Sequence, residues 1–436
     1  MRIRKISISA FSFALFCLLF LPAMLKSEET REYISIRKQG AGRISIALDR
    51  TSARGGKESE WAKSLDGTIR SGLDFTGLFN LMQAPLNMRT AQGGALNFGA
   101  LNSVGAEIYT GGTLTKQSGR ANLDMEVYDA LSGKQLMKRS YSGEEGQLRP
   151  MGLQFCADLV ELLTGKKSLV FGSRIAFVSN RTGFKEVYMC DFDGQNIVQL
   201  TSSKSIALTP AFSPDGKYLA WTDYVSGRPD LYIRNLSDKS TVAVGRPGVS
   251  IAPAWRRNTG EVATTLSFEG DQEIYLIKPD GKLSRRVTYS RGIDVSPTFS
   301  PDGSQMAFVS ARSGRPQIFI QDLQSGASRR LTFSGTYNTQ PSWSPLGNKI
   351  AYSSLQKNGE INIFIINADG SGLLQLTAGS KFNEYPSWAP DGSMIVFSSN
   401  RQGRRKLFVM NADGTNQRPL TQVDGDQQQP SWSTVR

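Results

Sequence analysis

The chain has 436 residues, 39% of them apolar, enough for two domains with cores of their own. It contains no histidine, which excludes a Ser-His-Asp hydrolase, a histidine-ligated metal site and an imidazole general base. The formal charge of +13 would suit an anionic surface, but solubility accounts for it equally well, and no basic run interleaved with aromatics points to nucleic acid.

Arg2, Arg4 and Lys5 precede an apolar run from Ile6 to Leu25 broken only by serines and Pro22. A charged start followed by such a run predicts an export signal over residues 1–27, cut after Ala23 or Ser27. The signal carries four of the positive charges (Arg2, Arg4, Lys5 and Lys26), leaving +9 on the exported chain. Cys17 lies inside the apolar run behind bulky Phe16, so it does not mark a lipoprotein.

Residues 28–165 read as an α+β domain. Ile44, Ile46 and Leu48 alternate as one strand, and Trp61, Leu65, Ile69 and Leu73 line one face of a helix. Three strands are predicted near 107–113, 123–129 and 135–142. A second helix opens near Pro150, a favoured first-turn residue, and stops at Gly165. Residues 166–172 form a very short linker, so the two domains are expected to pack rather than swing. Cys156 falls in the second helix and Cys190 in a later strand, and both are predicted to be buried free thiols, with no disulfide, metal site or cofactor.

From residue 173 to 436 the chain repeats. Pro210-Ala211-Phe212-Ser213-Pro214-Asp215-Gly216 recurs closely from Pro297 and Pro386, and more loosely from Pro253, Pro341 and Pro430. The steps between those prolines are 43, 44, 44, 45 and 44 residues, the period of four-stranded propeller blades. Within each copy a short strand ends in Trp or Phe and Ser-Pro-Asp-Gly makes a tight turn. An apolar strand, a polar hairpin, an alternating strand and a last short strand ending in Leu-Thr follow. Second strands start near Arg174, Lys217, Gly260, Ser304, Asn348 and Ser393, giving six blades. The first has no Pro-x-Trp strand before it, and the last Pro430-Ser431-Trp432-Ser433 has no strands after it. The predicted fold is therefore an α+β domain followed by an all-β six-bladed propeller, whose C-terminal strand completes blade 1 and leaves no open edge.

No Gly-x-Ser-x-Gly elbow and no Walker loop occur. Most repeated carboxylates, such as Asp215, Asp302 and Asp391, sit in Asp-Gly turns, where Asp accepts local backbone bonds. Trp255, Trp343, Trp388 and Trp432 share one repeat position with Phe212 and Phe299, which makes them packing residues. Function is expected where the blades differ, in the three residues before each repeat proline. These enter the innermost strands and should form a collar at one channel mouth: 207–209, 250–252, 294–296, 338–340, 383–385 and 427–429. Thr209, Asp294, Ser296, Asn338, Thr339, Gln340, Asn383, Glu384, Tyr385 and Gln428 are the candidate binding residues. Amides and hydroxyls suit an extended peptide backbone, which offers both donors and acceptors.

The whole layout resembles the TolB family, periplasmic propeller proteins of the Tol–Pal envelope system. Most specific is Ala157-Asp158-Leu159, with Leu163-Thr164-Gly165 and then Ser173-Arg174-Ile175-Ala176-Phe177-Val178-Ser179, similar to the family's junction helix and first blade strand. Leu73-Asp74-Phe75-Thr76-Gly77-Leu78-Phe79 resembles its Ser-Gly-x-Phe stretch with Thr76 in place of Ser, and Gln154-Phe155 stands where the junction helix often has a His. The resemblance implies a non-enzymatic, monomeric periplasmic scaffold that supports envelope integrity during division. It implies binding of the lipoprotein Pal at a propeller mouth, and of other outer-membrane proteins. It also implies that TolA is engaged by the start of the exported chain, near Glu32, Tyr33, Ile34 and Ile36. The alternative reading, an exported propeller enzyme or a glycan-binding protein, would need a hydrolase domain or exposed mouth aromatics such as Tyr337 and Tyr385.

Overall fold

The computed structural model describes residues 42–53, 56–86, 88, 96–117 and 119–434. The predicted signal and the segment holding Glu32, Tyr33, Ile34 and Ile36 lie outside the described residues.

In the first domain, β1 (Ile44–Leu48) leads into α1 (Lys57–Thr76) and returns as β2 (Phe79–Gln83), parallel to β1. Then come α2 (Phe98–Ser103), the antiparallel strands β3 (Ile108–Gln117), β4 (Arg120–Asp129) and β5 (Gln135–Gly143), and α3 (Leu148–Thr164). The sheet order is β2-β1-β3-β4-β5, with β1 and β3 parallel. The predicted stripe Trp61, Leu65, Ile69 and Leu73 is buried, facing Leu123, Met125 and Val127 of β4 in one core. Gly77, at φ 67°, ends α1 with its N–H on the Asp74 carbonyl. Glycines also let α1 and α3 touch: a Cβ on Gly72 would stand 3.1 Å from Cys156 Sγ, and one on Gly152 3.2 Å from Thr68 Cγ2. Sequence periodicity does not foresee α2, because six residues are too few to show a repeat. Its cap is visible only in the fold, where Asn97 accepts from the Ala100 N–H at 3.1 Å.

Six four-stranded antiparallel sheets follow. Blade 1 is composite: its innermost strand Gln427–Trp432 pairs with Arg174–Ser179, the chain's first propeller strand. The innermost strands of blades 2 to 6 are Ala207–Phe212, Ser250–Trp255, Asp294–Phe299, Tyr337–Trp343 and Asn383–Trp388. Each packs against its two neighbours, and the six close a ring. The repeated aromatics behave as packing residues: Trp255, Trp343, Trp388, Trp432 and Phe299 are buried. The turn aspartates bond locally, as in Asp302 Oδ1, which accepts from the Ser304 N–H (3.1 Å) and Ser300 Oγ (2.5 Å). Those bonds hold its pKa down at about 2.

The two domains share one core. Phe75 and Phe171 meet the blade 1 residue Phe192 edge-on, at 5.0 and 5.6 Å. Arg149 Nη2 bonds both carboxylate oxygens of Asp193 (2.9 and 2.8 Å), the Leu169 N–H bonds Asp391 (3.1 Å), and Arg418 donates to the Phe75 carbonyl. Cys156 and Cys190 are buried free thiols, and burial pushes both pKa values up. The blade residues Phe192, Asp193, Asp391 and Arg418 lie in or directly after the turns that follow the first and third strands of blades 1 and 6. The first domain thus packs on the face opposite the start of the innermost strands.

Candidate functional site

Each innermost strand breaks register at the same place. In blade 2, Thr209 and Pro210 together face the single residue Trp221, and the same two-for-one bulge recurs in the other five blades. Proline has no N–H for the ladder, so the strand bulges where the repeat proline enters it. The residue before it takes a left-handed conformation in all six blades: Thr209 (φ 49°), Ala252 (54°), Ser296 (54°), Gln340 (53°), Tyr385 (57°) and Gln429 (55°). None is glycine, so each costs on the order of 1–2 kcal/mol, which the ring must offset. The bulges form a collar at the mouth away from the first domain, its side chains half-exposed except for the buried Gln429.

The collar has two unlike halves. On blades 2 to 4 it carries apolar Leu208, Ile251 and Val295, followed by the small residues Thr209, Ala252 and Ser296. On blades 5, 6 and 1 it carries Thr339, Glu384 and Gln428, followed by the large polar residues Gln340, Tyr385 and Gln429. The large residues link blade to blade. Gln340 Oε1 accepts from the Tyr385 N–H (3.1 Å), Gln429 Nε2 donates to Tyr385 Oη (3.2 Å), and Gln429 Oε1 accepts from the Thr209 N–H (2.9 Å). The chain of bonds stops at Thr209, which is too short to reach the next bulge. The collar is therefore a rigid polar arc facing an apolar crescent.

Glu384 is the acid of the polar arc, with Arg405 Nη2 at 3.3 Å. Burial raises its pKa, and Arg405 offsets this only in part. Ionisation is thus less favourable in the folded than in the unfolded chain. The cost is absent below the ordinary value of 4.5 and grows as the pH rises towards the folded-state value. Glu384→Gln is therefore expected to raise Tm slightly at pH 7.5, with the gain vanishing near pH 4.5. A Tm below wild type at pH 7.5 would show instead that the Arg405 pair outweighs burial.

Three of the expected collar residues are corrected by the structure. Asp294, Asn338 and Asn383 are fully buried behind the channel wall. Asp294 accepts from Ser310 Oγ (2.6 Å) and Arg312 Nη2 (2.7 Å). Asn338 Nδ2 donates to Gln317 Oε1 (2.8 Å), and Asn383 Nδ2 to Asn362 Oδ1 (2.9 Å). Asp294 ties its strand to its own blade, whereas the Asn338 and Asn383 bonds tie theirs to the third strand of the preceding blade. None of the three offers a face to a partner. The strand alternates at this point, so one residue of each triplet turns inward; sequence alone does not say which. Thr209, Ser296, Thr339, Gln340, Glu384, Tyr385 and Gln428 do share the mouth.

Reading the triplets for amides and hydroxyls passes over the apolar crescent and the rim. The hairpins and loops around the mouth expose Arg181, Lys204, Arg228, Arg291, Arg315, Lys357 and Arg404 against Glu269, Asp271 and Asp424. They also expose Phe184, Val225, Tyr289, Ile293, Phe333 and Tyr337. Arg286 stacks over Tyr289 at 4.7 Å and Arg330 over Phe333 at 4.8 Å. A basic rim with exposed aromatics surrounding a half-apolar mouth has the composition of a protein-binding surface.

Fold and site together define a two-domain propeller protein, with an α/β domain on one face and, on the other, a half-apolar collar inside a basic rim. The model of the TolB beta propeller domain matches residues 160–436, and that of the TolB amino-terminal domain matches residues 32–136. The chain belongs to the TolB family, the propeller proteins of the Tol–Pal system. It is 66% identical over 292 residues to the TolB homolog of Chlorobaculum tepidum, covering 67% of each chain. It is 41% identical over 282 residues to the Tol-Pal system protein TolB of Desulfosudis oleivorans, covering 63% of this chain and 64% of that one. The chain's matches thus span about two thirds of these relatives' own lengths. The crystal structure of TolB from Acinetobacter baumannii shares the fold, with TM-score 0.79 at 24% identity over 90% of this chain and 97% of that one.

Proposed function

We propose that the protein is a non-enzymatic periplasmic scaffold of the Tol–Pal system, holding the lipoprotein Pal in its collar mouth. The observation that carries this reading is the divided collar, which faces away from the first domain and is uncovered among the described residues. An inserted segment could lay apolar side chains on Leu208, Ile251 and Val295 while its backbone bonds to Gln428, Thr339 and Glu384. The basic rim favours an acidic partner surface and makes capture salt-sensitive. TolA binds through residues 31–36, where Ile34 and Ile36 alternate with Ser35 as in an added strand. Both contacts serve outer-membrane integrity and envelope constriction, and no helix among the described residues is long and apolar enough to cross a membrane.

Two variants separate the contacts. Tyr385→Ala removes the centre of the polar arc and is expected to weaken capture of purified Pal by about 10–100-fold, as for a central aromatic anchor. Deleting residues 31–36 should abolish TolA capture and leave Pal affinity and Tm unchanged. Asp302→Asn, in a repeated turn, should alter neither. Equal loss of Pal binding in Asp302→Asn and Tyr385→Ala would remove the collar from the reading.

A further inference from the structure

Because the blades repeat one pattern, each junction between neighbours can be compared with the other five. Two devices bridge the outer half of a junction. In the first, an arginine of the outermost strand reaches the next blade's backbone. Arg285 of blade 3 donates to the Leu323 carbonyl (3.5 Å), and Arg329 of blade 4 to the Ala368 carbonyl. In the second, a side chain on or after the third strand reaches back. Arg234 bonds the Leu200 carbonyl, Gln321 the Val287 carbonyl (3.0 Å) and Gln417 the Leu376 carbonyl (2.8 Å). The junction of blades 6 and 1 is covered by the first domain through Arg149 and Arg418.

Between blades 2 and 3 neither device is present. Val242 takes the register of Arg285 and Arg329, pairing with Ile233 as they pair with Leu276 and Ile320. Ile277 stands where Gln321 and Arg234 stand. The result is a cleft of about 660 Å³, walled by Tyr218, Ile233 and Val242 on one side and by Glu261, Pro279 and Asp280 on the other. Pro279 is the counterpart of Leu323 and Ala368, whose carbonyls take the bridging guanidinium in the next two junctions. Glu261 is the only carboxylate in its register: the other blades have Arg174, Tyr218, Gln305, Lys349 and Met394 there. Ser284 Oγ (2.6 Å) and Thr259 Oγ1 (2.9 Å) hold its two oxygens in place, with Arg256 Nη1 at 3.7 Å. A carboxylate has about four acceptor positions, so these contacts leave it able to accept more.

We propose that this cleft binds an arginine side chain carried by an extended peptide. The guanidinium takes the space that Arg285 and Arg329 fill elsewhere, donating to the Pro279 carbonyl and the Glu261 carboxylate, with its methylenes along Val242 and Ile233. A planar five-donor group suits that acceptor pair, which a lysine ammonium cannot span in the same way. The peptide backbone lies along the outermost strand of blade 2, Thr241–Ala243, whose residues are all exposed and whose outer edge is unpaired.

The test uses the full-length protein and an acetylated, amidated Ala-Val-Arg-Val-Ala peptide with a fluorescent label, titrated by anisotropy. Saturable binding is expected, with at least about tenfold loss when citrulline replaces the arginine and a similar loss in Glu261→Gln. Val242→Arg supplies the guanidinium from within: it is expected to abolish peptide binding and to raise Tm by about 2 °C. The proposal is overturned by no saturable binding to wild type, by equal binding of the citrulline peptide, or by unchanged binding to Val242→Arg. A fall in Tm for Val242→Arg would also sink it, since the cleft would then not accommodate the group. If Val242→Arg does not fold, the citrulline peptide and Glu261→Gln still decide the outcome.

Discussion

Deleting residues 430–436 is expected to unfold the propeller at temperatures where the intact protein is stable. The segment is only the tail of the chain, yet it carries half of the strand that completes blade 1, Gln427–Trp432. Ser431 and Trp432 pair with Ala176 and Ile175, and Trp432 Nε1 donates to Ser173 Oγ at 2.7 Å. Trp432 also lies in the core shared by blades 1 and 6 and the first domain. Truncation to alanine at such a site costs about 3–5 kcal/mol. The deletion adds lost ladder bonds and unpairs the edge of Arg174–Ser179, together a large part of the usual 5–15 kcal/mol of total stability. Circular dichroism melting checks this, with Trp432→Ala as the milder arm. A truncated protein melting within a few degrees of wild type would mean that the ring does not depend on its closing strand.

The second large effect is expected at Asp294, a residue that sequence reasoning assigns to the collar and the structure assigns to the wall. Its carboxylate is the counter-ion of Arg312, whose guanidinium also lies over Phe308 and Phe319 at 5.2 and 5.1 Å. Asp294→Ala leaves that cation without its partner, at a cost of about 3–5 kcal/mol. Asp294→Asn is expected to cost less than half as much, because blade 6 already builds the same cluster with an amide. There Asn383 Oδ1 accepts from Arg401 Nη2 (2.9 Å) and Ser399 Oγ (2.8 Å). Urea midpoints at unchanged m-value measure both variants. The assignment fails if Asp294→Ala unfolds within about 1 kcal/mol of wild type, and the amide variant should keep full Pal capture.

The repeat explains how much of the architecture could be read directly. A 44-residue period with Pro-x-Trp and Asp-Gly at fixed offsets repeats the same local forces six times. Turn chemistry, strand alternation and blade count are therefore legible from Pro210 to Pro430. Helix α1 is legible for a similar reason, since Trp61, Leu65, Ile69 and Leu73 keep one period through 20 residues. The six-residue α2 is too short for any such signal.

The site is less legible because it depends on which way single side chains turn. The triplets before each proline locate the collar, but a bulge decides that Tyr385 and Gln340 face the channel while Asn383 and Asn338 face inward. That bulge arises from proline's missing N–H together with the partner strand's register. The register is set by pairing between residues more than ten positions apart, as for Glu384 with Ser398. The sequence by itself determined the class of fold, the blade count and the need for the last strand to close the first blade, because those follow from local, repeated preferences. Only the tertiary structure decided that the collar has an apolar half and a hydrogen-bonded half, and that the junction of blades 2 and 3 is unbridged. Both depend on what a side chain on one blade can reach on the next, a distance that no local preference encodes.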